Sequence, residues 1–139
     1  MADVMKVSAR AEDGYQVNCE VDGFNYIIDY QDPKNPEKEV KGTKPGGLLV
    51  AALAGCKAIV VRQFLQARGI EAPIDVQIEM GGSADTGRYV VDCKVKLTIE
   101  GDVPEKYREL IIKHVDDNCA IEHVILGTDN KVETEYIFQ

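Results

Sequence analysis

The side chains best suited to covalent chemistry are four cysteines, Cys19, Cys56, Cys93 and Cys119. No C-x-x-C pair occurs among them, so neither a thioredoxin-type motif nor the usual zinc-ribbon spacing is present. Their settings differ. Cys19 and Cys93 fall on the apolar faces of alternating segments and are expected as small buried hydrophobes. Cys56 lies inside the most apolar stretch of the chain, beside Ala52 and Gly55. A thiol there stays protonated and unreactive unless a cation comes close. Lys57 follows it directly but projects about 100° away around a helix, so an activating cation is expected from elsewhere. Cys119 opens a short helical pattern that Asn118 could cap. A thiol in such a first turn is favoured as thiolate by unpaired N–H groups. His123 lies four residues on and can share that face. The Cys119/His123 pair admits three readings: a thiol–imidazole dyad, two ligands of a metal site, or unrelated neighbours. His114 is the only other histidine.

The elements that would position these groups can be read from periodicity. Val4 to Ala11 forms a first predicted strand. Tyr15, Val17, Cys19 and Val21 alternate with polar residues as a second, and Asp22-Gly23 is a two-residue turn signal. Phe24 to Tyr30 is the return strand. Asp32 to Lys44, with Pro33 and Pro36, is predicted as a loop. Pro45 opens a long helix that Gly69 closes. Its first half is apolar almost all round, as in a helix surrounded by protein. Ile74 to Met80 and Val91 to Ile99 alternate as two further strands about a turn at 81–87. Asp102 and Glu105 resemble a capping box before a helix through Tyr107, Leu110, Ile111 and Val115. Asp116-Asp117-Asn118 breaks that helix, and a short one runs from Cys119 to Leu126, ended by Gly127. Val132 to Phe138 is predicted as a closing strand. Strands and helices are grouped rather than strictly alternating, which predicts an α+β fold with largely antiparallel sheet.

Bulk properties narrow the function. The chain has 139 residues, 16 Lys plus Arg against 24 Asp plus Glu, and a formal net charge of -8. That length suits one domain, 1–139, with a core large enough to need no disulfide or metal. So acidic a chain, with no basic stripe, is not expected to bind nucleic acid or anionic membrane. The first residues lack a basic start followed by an apolar stretch, so no signal peptide is expected. The apolar run from Leu48 to Val61, interrupted only by Lys57, falls short of the roughly 20 residues that span a bilayer. A soluble cytoplasmic protein with reduced thiols is expected.

The stretch Thr43-Lys44-Pro45-Gly46-Gly47-Leu48-Leu49-Val50-Ala51-Ala52-Leu53-Ala54-Gly55-Cys56 resembles a signature of the osmotically inducible protein C and organic hydroperoxide resistance (OsmC/Ohr) family. That signature is Pro-Glu-x-Leu-Leu-x-Ala-Ala-x-x-x-Cys. Val61-Arg62 and Ala67-Arg68-Gly69 are similar to its continuation. Cys119-Ala120-Ile121-Glu122-His123 stands where the family has a Cys-Pro-Val/Ile-His-like stretch, and the order of elements matches along the chain.

The resemblance implies an intertwined homodimer, two long central helices wrapped by antiparallel sheets, and thiol sites at the interface. It implies reduction of organic hydroperoxides in oxidative-stress defence. Cys56 would become a sulfenic acid, Cys119 would condense with it to a disulfide, and a dithiol reductant such as a lipoylated protein would restore both. No metal, flavin or haem cofactor is implied. The sequence departs from the pattern in three places. The family glutamate ten residues before the first cysteine is Gly46, followed by Gly47. The family arginine of the N-terminal strands falls near Gly14, with Arg10 out of register. The proline after the second cysteine is Ala120. Arg10, Lys44 or His123 could supply positive charge instead, and Glu122 a carboxylate. A second reading follows from these losses: a non-peroxidatic relative binding a small apolar or thiol-reactive ligand at the dimer interface, with Gly46-Gly47 widening its mouth. A metal or redox-sensor role for Cys119 and His123 is a third.

Overall fold

The computed structural model describes residues 4–83 and 90–139. The architecture is α+β, with two antiparallel sheets and one long helix. Two compact units, Met1–Ala51 and Ala52–Gln139, divide the chain.

In the first unit, β1 (Val7–Arg10), β2 (Val17–Val21) and β3 (Phe24–Ile28) form a meander in that order. Val21 pairs with Val7 on one side and with Phe24 on the other. The β2–β3 turn is Asp22-Gly23, with φ of 50° and 82°. Positive φ at both central residues is the type I′ geometry whose twist matches a hairpin, and Asp-Gly tolerates it. Cys19 is buried, as its alternating strand predicts. The loop after β3 is tied back by Asp29. Its carboxylate accepts the Tyr30 N–H at 2.8 Å and the Lys41 N–H at 3.0 Å. The Lys41 N–H, against a smaller opposing effect of burial, holds the Asp29 carboxyl below the usual carboxylate range, with Tyr30 and Lys38 acting in the same direction. The Asp29 N–H donates to the Thr43 carbonyl at 3.0 Å, and Ile28 bridges to Thr43 just before the long helix begins.

Gly42 makes this closure possible. A Cβ at that position would lie 2.1 Å from the Ile27 carbonyl oxygen. The obstacle is backbone, so it cannot rotate away. Gly42→Ala is expected to destabilise the protein by about 1–3 kcal/mol, the usual range for overpacking. Chemical denaturation would read this as a lower midpoint at unchanged slope.

Helix α1 (Pro45–Gln66) begins at the predicted proline. Its C-terminal end is a Schellman motif. Gly69 has φ of 68°, the Ile70 N–H donates to the Leu65 carbonyl at 3.0 Å, and the Gly69 N–H donates to Gln66 at 3.1 Å. Leu53, Lys57, Val60, Val61, Phe64 and Leu65 are its buried residues. They recur at i, i+4, i+7/8 and i+11/12, which is one helical stripe. The sequence predicts a first half surrounded by protein, yet Leu49 in that half is 43% exposed, and farther along Ile59 is 60% exposed. Within the second unit α1 buries one face. By length and composition α1 could cross a membrane. Its buried stripe is instead part of the core of the second unit.

In that unit β4 (Ile74–Ser83) and β5 (Val90–Ile99) form an antiparallel hairpin, with Ile74 opposite Ile99 and Met80 opposite Cys93. Residues 81–83, predicted in a turn, extend β4, and the rest of that predicted turn lies outside the described residues. Cys93 is half-buried rather than sealed. The core joins Val60, Val61, Phe64 and Leu65 of α1 to Ala72 and to Ile111 and Val115 of α2 (Glu105–Asn118), with Ile74, Leu97 and Ile99 packed against it. Phe64 meets Tyr107 edge-on at 6.0 Å, and the Arg68 guanidinium stacks 3.5 Å from the Phe64 ring.

Three further local expectations differ from the structure. Pro104, not Asp102, occupies the cap of α2 and makes no side-chain cap bond, so the capping box does not form. Pro104 places the entering chain in an extended conformation, and the helix starts after it. Asn118 does not cap the next helix. It ends α2, and its amide donates back to the His114 carbonyl at 2.8 Å. Val132 to Phe138 is not a strand. A strand needs a sheet edge to satisfy its backbone, and among the described residues neither sheet pairs with the segment. Val132 and Phe138 are more than nine-tenths exposed.

Candidate active site

The junction between α2 and α3 (Ala120–Leu126) is a single residue, Cys119. Its N–H still donates to Val115 at 3.0 Å, closing the last turn of α2. Its φ and ψ of -76° and 92° are extended, so the chain turns there, and its carbonyl then accepts the His123 N–H at 3.2 Å. Cys119 therefore caps α3 instead of lying in its first turn. Its side chain is fully buried.

The side chain it meets comes from α1. Cys56, partly exposed, lies near enough for its thiol to act on that of Cys119. Both are free thiols. Burial pushes the Cys119 thiol up from the ordinary range. The Glu122 backbone N–H favours the thiolate, although Cys119 makes no full capping hydrogen bond to the helix it opens. The Cys56 thiol adds to the upward shift, and the Lys57 ammonium opposes it.

Lys57 is the residue that sequence reasoning set aside. Its Nζ donates to Glu122 Oε1 at 3.1 Å, with the lysine side chain only 7% exposed and the glutamate 32%. The 100° offset from Cys56 turns Lys57 onto the buried stripe of α1, toward the helix that Cys119 opens. A signal was available: a lone lysine on an apolar stripe must find a partner or remain out of the core.

The other candidates lie as follows. The His123 ring is exposed and its Nε2 donates to the Asp116 carbonyl at 2.9 Å, which ties it to the end of α2. His114 stacks against Phe64 at 5.6 Å, with Nδ1 facing the Asn118 amide. In the first unit, exposed Arg10 pairs with Glu12, and the Lys44 ammonium stands 5.7 Å from the centre of the Tyr30 ring. Gly47 packs so tightly on Thr43 that a Cβ there would lie 2.0 Å from Oγ1. Among the described residues no group of three or more His, Cys, Asp or Glu side chains is gathered for a metal ion.

A cysteine on a long apolar helix thus lies beside a second cysteine at a helix junction in an α+β frame. The family described as OsmC-like protein matches residues 36–135, and the chain belongs to that family. Solved structures share the fold at low identity. An OsmC-like protein from Mycoplasma pneumoniae superposes with a TM-score of 0.72 at 18% identity, over 91% of this chain and 90% of the other. An organic hydroperoxide resistance protein OsmC from Legionella pneumophila gives 0.67 at 18%, over 91% and 92%. The organic hydroperoxide resistance protein OhrB of Bacillus subtilis gives 0.65 at 16%, over 90% and 92%. No functionally curated protein matches the sequence.

Proposed function

We propose that the protein reduces organic hydroperoxides with Cys56 and Cys119 as a two-thiol couple. The observation that carries this reading is the meeting of the two thiols from α1 and the α2–α3 junction. The names of the Legionella and Bacillus structural relatives point to the same chemistry.

Cys56 is the attacking group because it is the more exposed of the two. Its thiolate attacks the terminal oxygen of R–O–O–H, the O–O bond breaks, and Cys56 becomes a sulfenic acid. The departing alkoxide takes up a proton and leaves as an alcohol. The Cys119 sulfur then attacks the Cys56 sulfur. The S–O bond breaks, hydroxide leaves with the Cys119 proton as water, and a disulfide forms. A dithiol, such as a lipoylated protein, returns both thiols and is itself oxidised to a disulfide. None of these steps requires a cofactor.

The working form in this reading is a homodimer in the cytoplasm. Exposed apolar side chains support a second copy as partner: Ile59 on α1, Ile112 on α2, and Val132 and Phe138 in the terminal segment.

Cys119→Ser separates the two chemical steps. After one equivalent of alkyl hydroperoxide, this variant is expected to accumulate Cys56 sulfenic acid, trapped by a cyclic dione and located by peptide mass. A variant that leaves the peroxide unconsumed and yields no adduct at Cys56 contradicts the assignment. Untouched peroxide, together with saturable binding of apolar ligands, would favour the ligand-binding reading.

A further inference from the structure

The residue after Cys56 is a lysine, and the residue three after Cys119 is a glutamate. The fold joins them beside the two thiols. We propose that Lys57, held by Glu122, is the working cation of the thiol pair and stabilises the Cys119 thiolate that closes the disulfide. This rests on the two-thiol reading above.

Three observations support it. Lys57 is 6% exposed, in a stripe otherwise made of Leu53, Val60, Val61, Phe64 and Leu65. A buried ammonium costs solvation and is retained only where its charge is matched. Among the described residues its one bonded partner is Glu122, at 3.1 Å, on the helix that Cys119 opens. The charge therefore sits where α1 meets α3, at the same junction as both sulfurs. Finally, the Lys57 ammonium opposes the burial that pushes the Cys119 thiol up. Among the described residues, the titratable groups facing Cys119 are Cys56 and Lys57 from α1, with Glu122 of α3 reaching it through Lys57.

The chemistry gives the cation a definite place. A fully buried thiol is a poor nucleophile, because only the thiolate attacks sulfur. The resolving step needs Cys119 as S⁻, attacking the Cys56 sulfenic sulfur and releasing hydroxide, which takes the proton that Cys119 gave up. A fixed ammonium lowers the cost of that anion. Glu122 is a positioning residue, because it acts by holding the ammonium. The pair supplies one cation and one carboxylate in a sequence that has Gly46 where the resemblance expects a glutamate and no arginine in register near Gly14.

The test compares wild type with Lys57→Gln, which retains a donor for Glu122, and with Lys57→Arg, which retains the charge. Two measurements are made on the full chain. One is the pH midpoint of Cys119 alkylation by iodoacetamide, read at each cysteine by peptide mass. The other is the single-turnover rate of Cys56–Cys119 disulfide formation after one equivalent of alkyl hydroperoxide. Lys57→Gln is expected to raise the Cys119 midpoint by about one pH unit, the lower end of what a neighbouring opposite charge does. Disulfide closure should slow by about tenfold at neutral pH. Lys57→Arg is expected to restore both. Equal Cys119 midpoints in wild type and Lys57→Gln overturn the proposal, as does an arginine variant no better than glutamine. The midpoint is read without peroxide. A protein that ignores peroxide yet shows the Lys57-dependent midpoint therefore refutes the peroxidase reading alone.

Discussion

Cys56→Ser is expected to bring alkyl hydroperoxide consumption down to that of buffer, the largest effect of any single substitution in this protein. The cause is chemical rather than steric. Serine preserves the helix and nearly the volume, but its alcohol is not ionised near neutral pH and oxygen cannot hold the oxidised state that a sulfenic acid represents. The two cysteines are not interchangeable. Cys119 is fully buried, and burial pushes its thiol up, so it meets peroxide slowly. Cys56 is partly exposed. Cys119→Ser should therefore keep the first turnover and lose the later ones, whereas Cys56→Ser should lose the first. Stopped-flow consumption of one equivalent of peroxide by each reduced variant distinguishes them. A Cys56→Ser protein that still consumes the first equivalent at the wild-type rate would reverse the roles.

The second large effect concerns stability. Leu65→Ala is expected to cost about 2–5 kcal/mol, the range for a leucine truncated in a closed core. Leu65 is fully buried, and its neighbours in the core are Val61, Phe64, Ala72, Ile111 and Val115. Its carbonyl also accepts the Ile70 N–H that seals the end of α1, so the backbone around the new cavity is held and collapses only in part. A small domain holds roughly 5–15 kcal/mol in all, so this single truncation removes a large share. Val61→Ala, one turn earlier and equally buried, should cost less because fewer methyl groups are lost. Urea unfolding at constant slope measures both. A Leu65→Ala midpoint within error of wild type would mean that this cluster is not the core.

Much of this fold could be read from residue order because local chemistry agreed with the tertiary outcome. Asp22-Gly23 marks its hairpin by the φ values it tolerates, and Pro45 and Gly69 bracket α1 by what each does to a helix end. The α+β class followed from the grouping of periods, and the signature ending at Cys56 pointed to the right family. Readings failed where a long-range partner decided the matter. Val132 to Phe138 alternates like a strand, but alternation cannot supply an edge to pair with. Asn118 is a good cap by type, yet α2 runs through it and leaves Cys119 at the corner. Lys57 is the instructive case. Its angle to Cys56 is local, whereas the partner thiol and Glu122 come from helices far along the chain. Arg10, Lys44 and His123 are the cations the sequence offers for the thiols, whereas Lys57 shares the apolar stripe of Leu53, Val60 and Phe64.

The decisive measurement is a peptide map of the fully reduced wild-type protein after one equivalent of an alkyl hydroperoxide. Rapid loss of two thiols, much faster than free cysteine reacts, with a single Cys56–Cys119 disulfide and Cys19 and Cys93 still reduced, is the expected result. Thiol loss no faster than that of free cysteine, or oxidation spread over all four cysteines, would contradict a two-thiol peroxidase built on α1 and the α2–α3 junction.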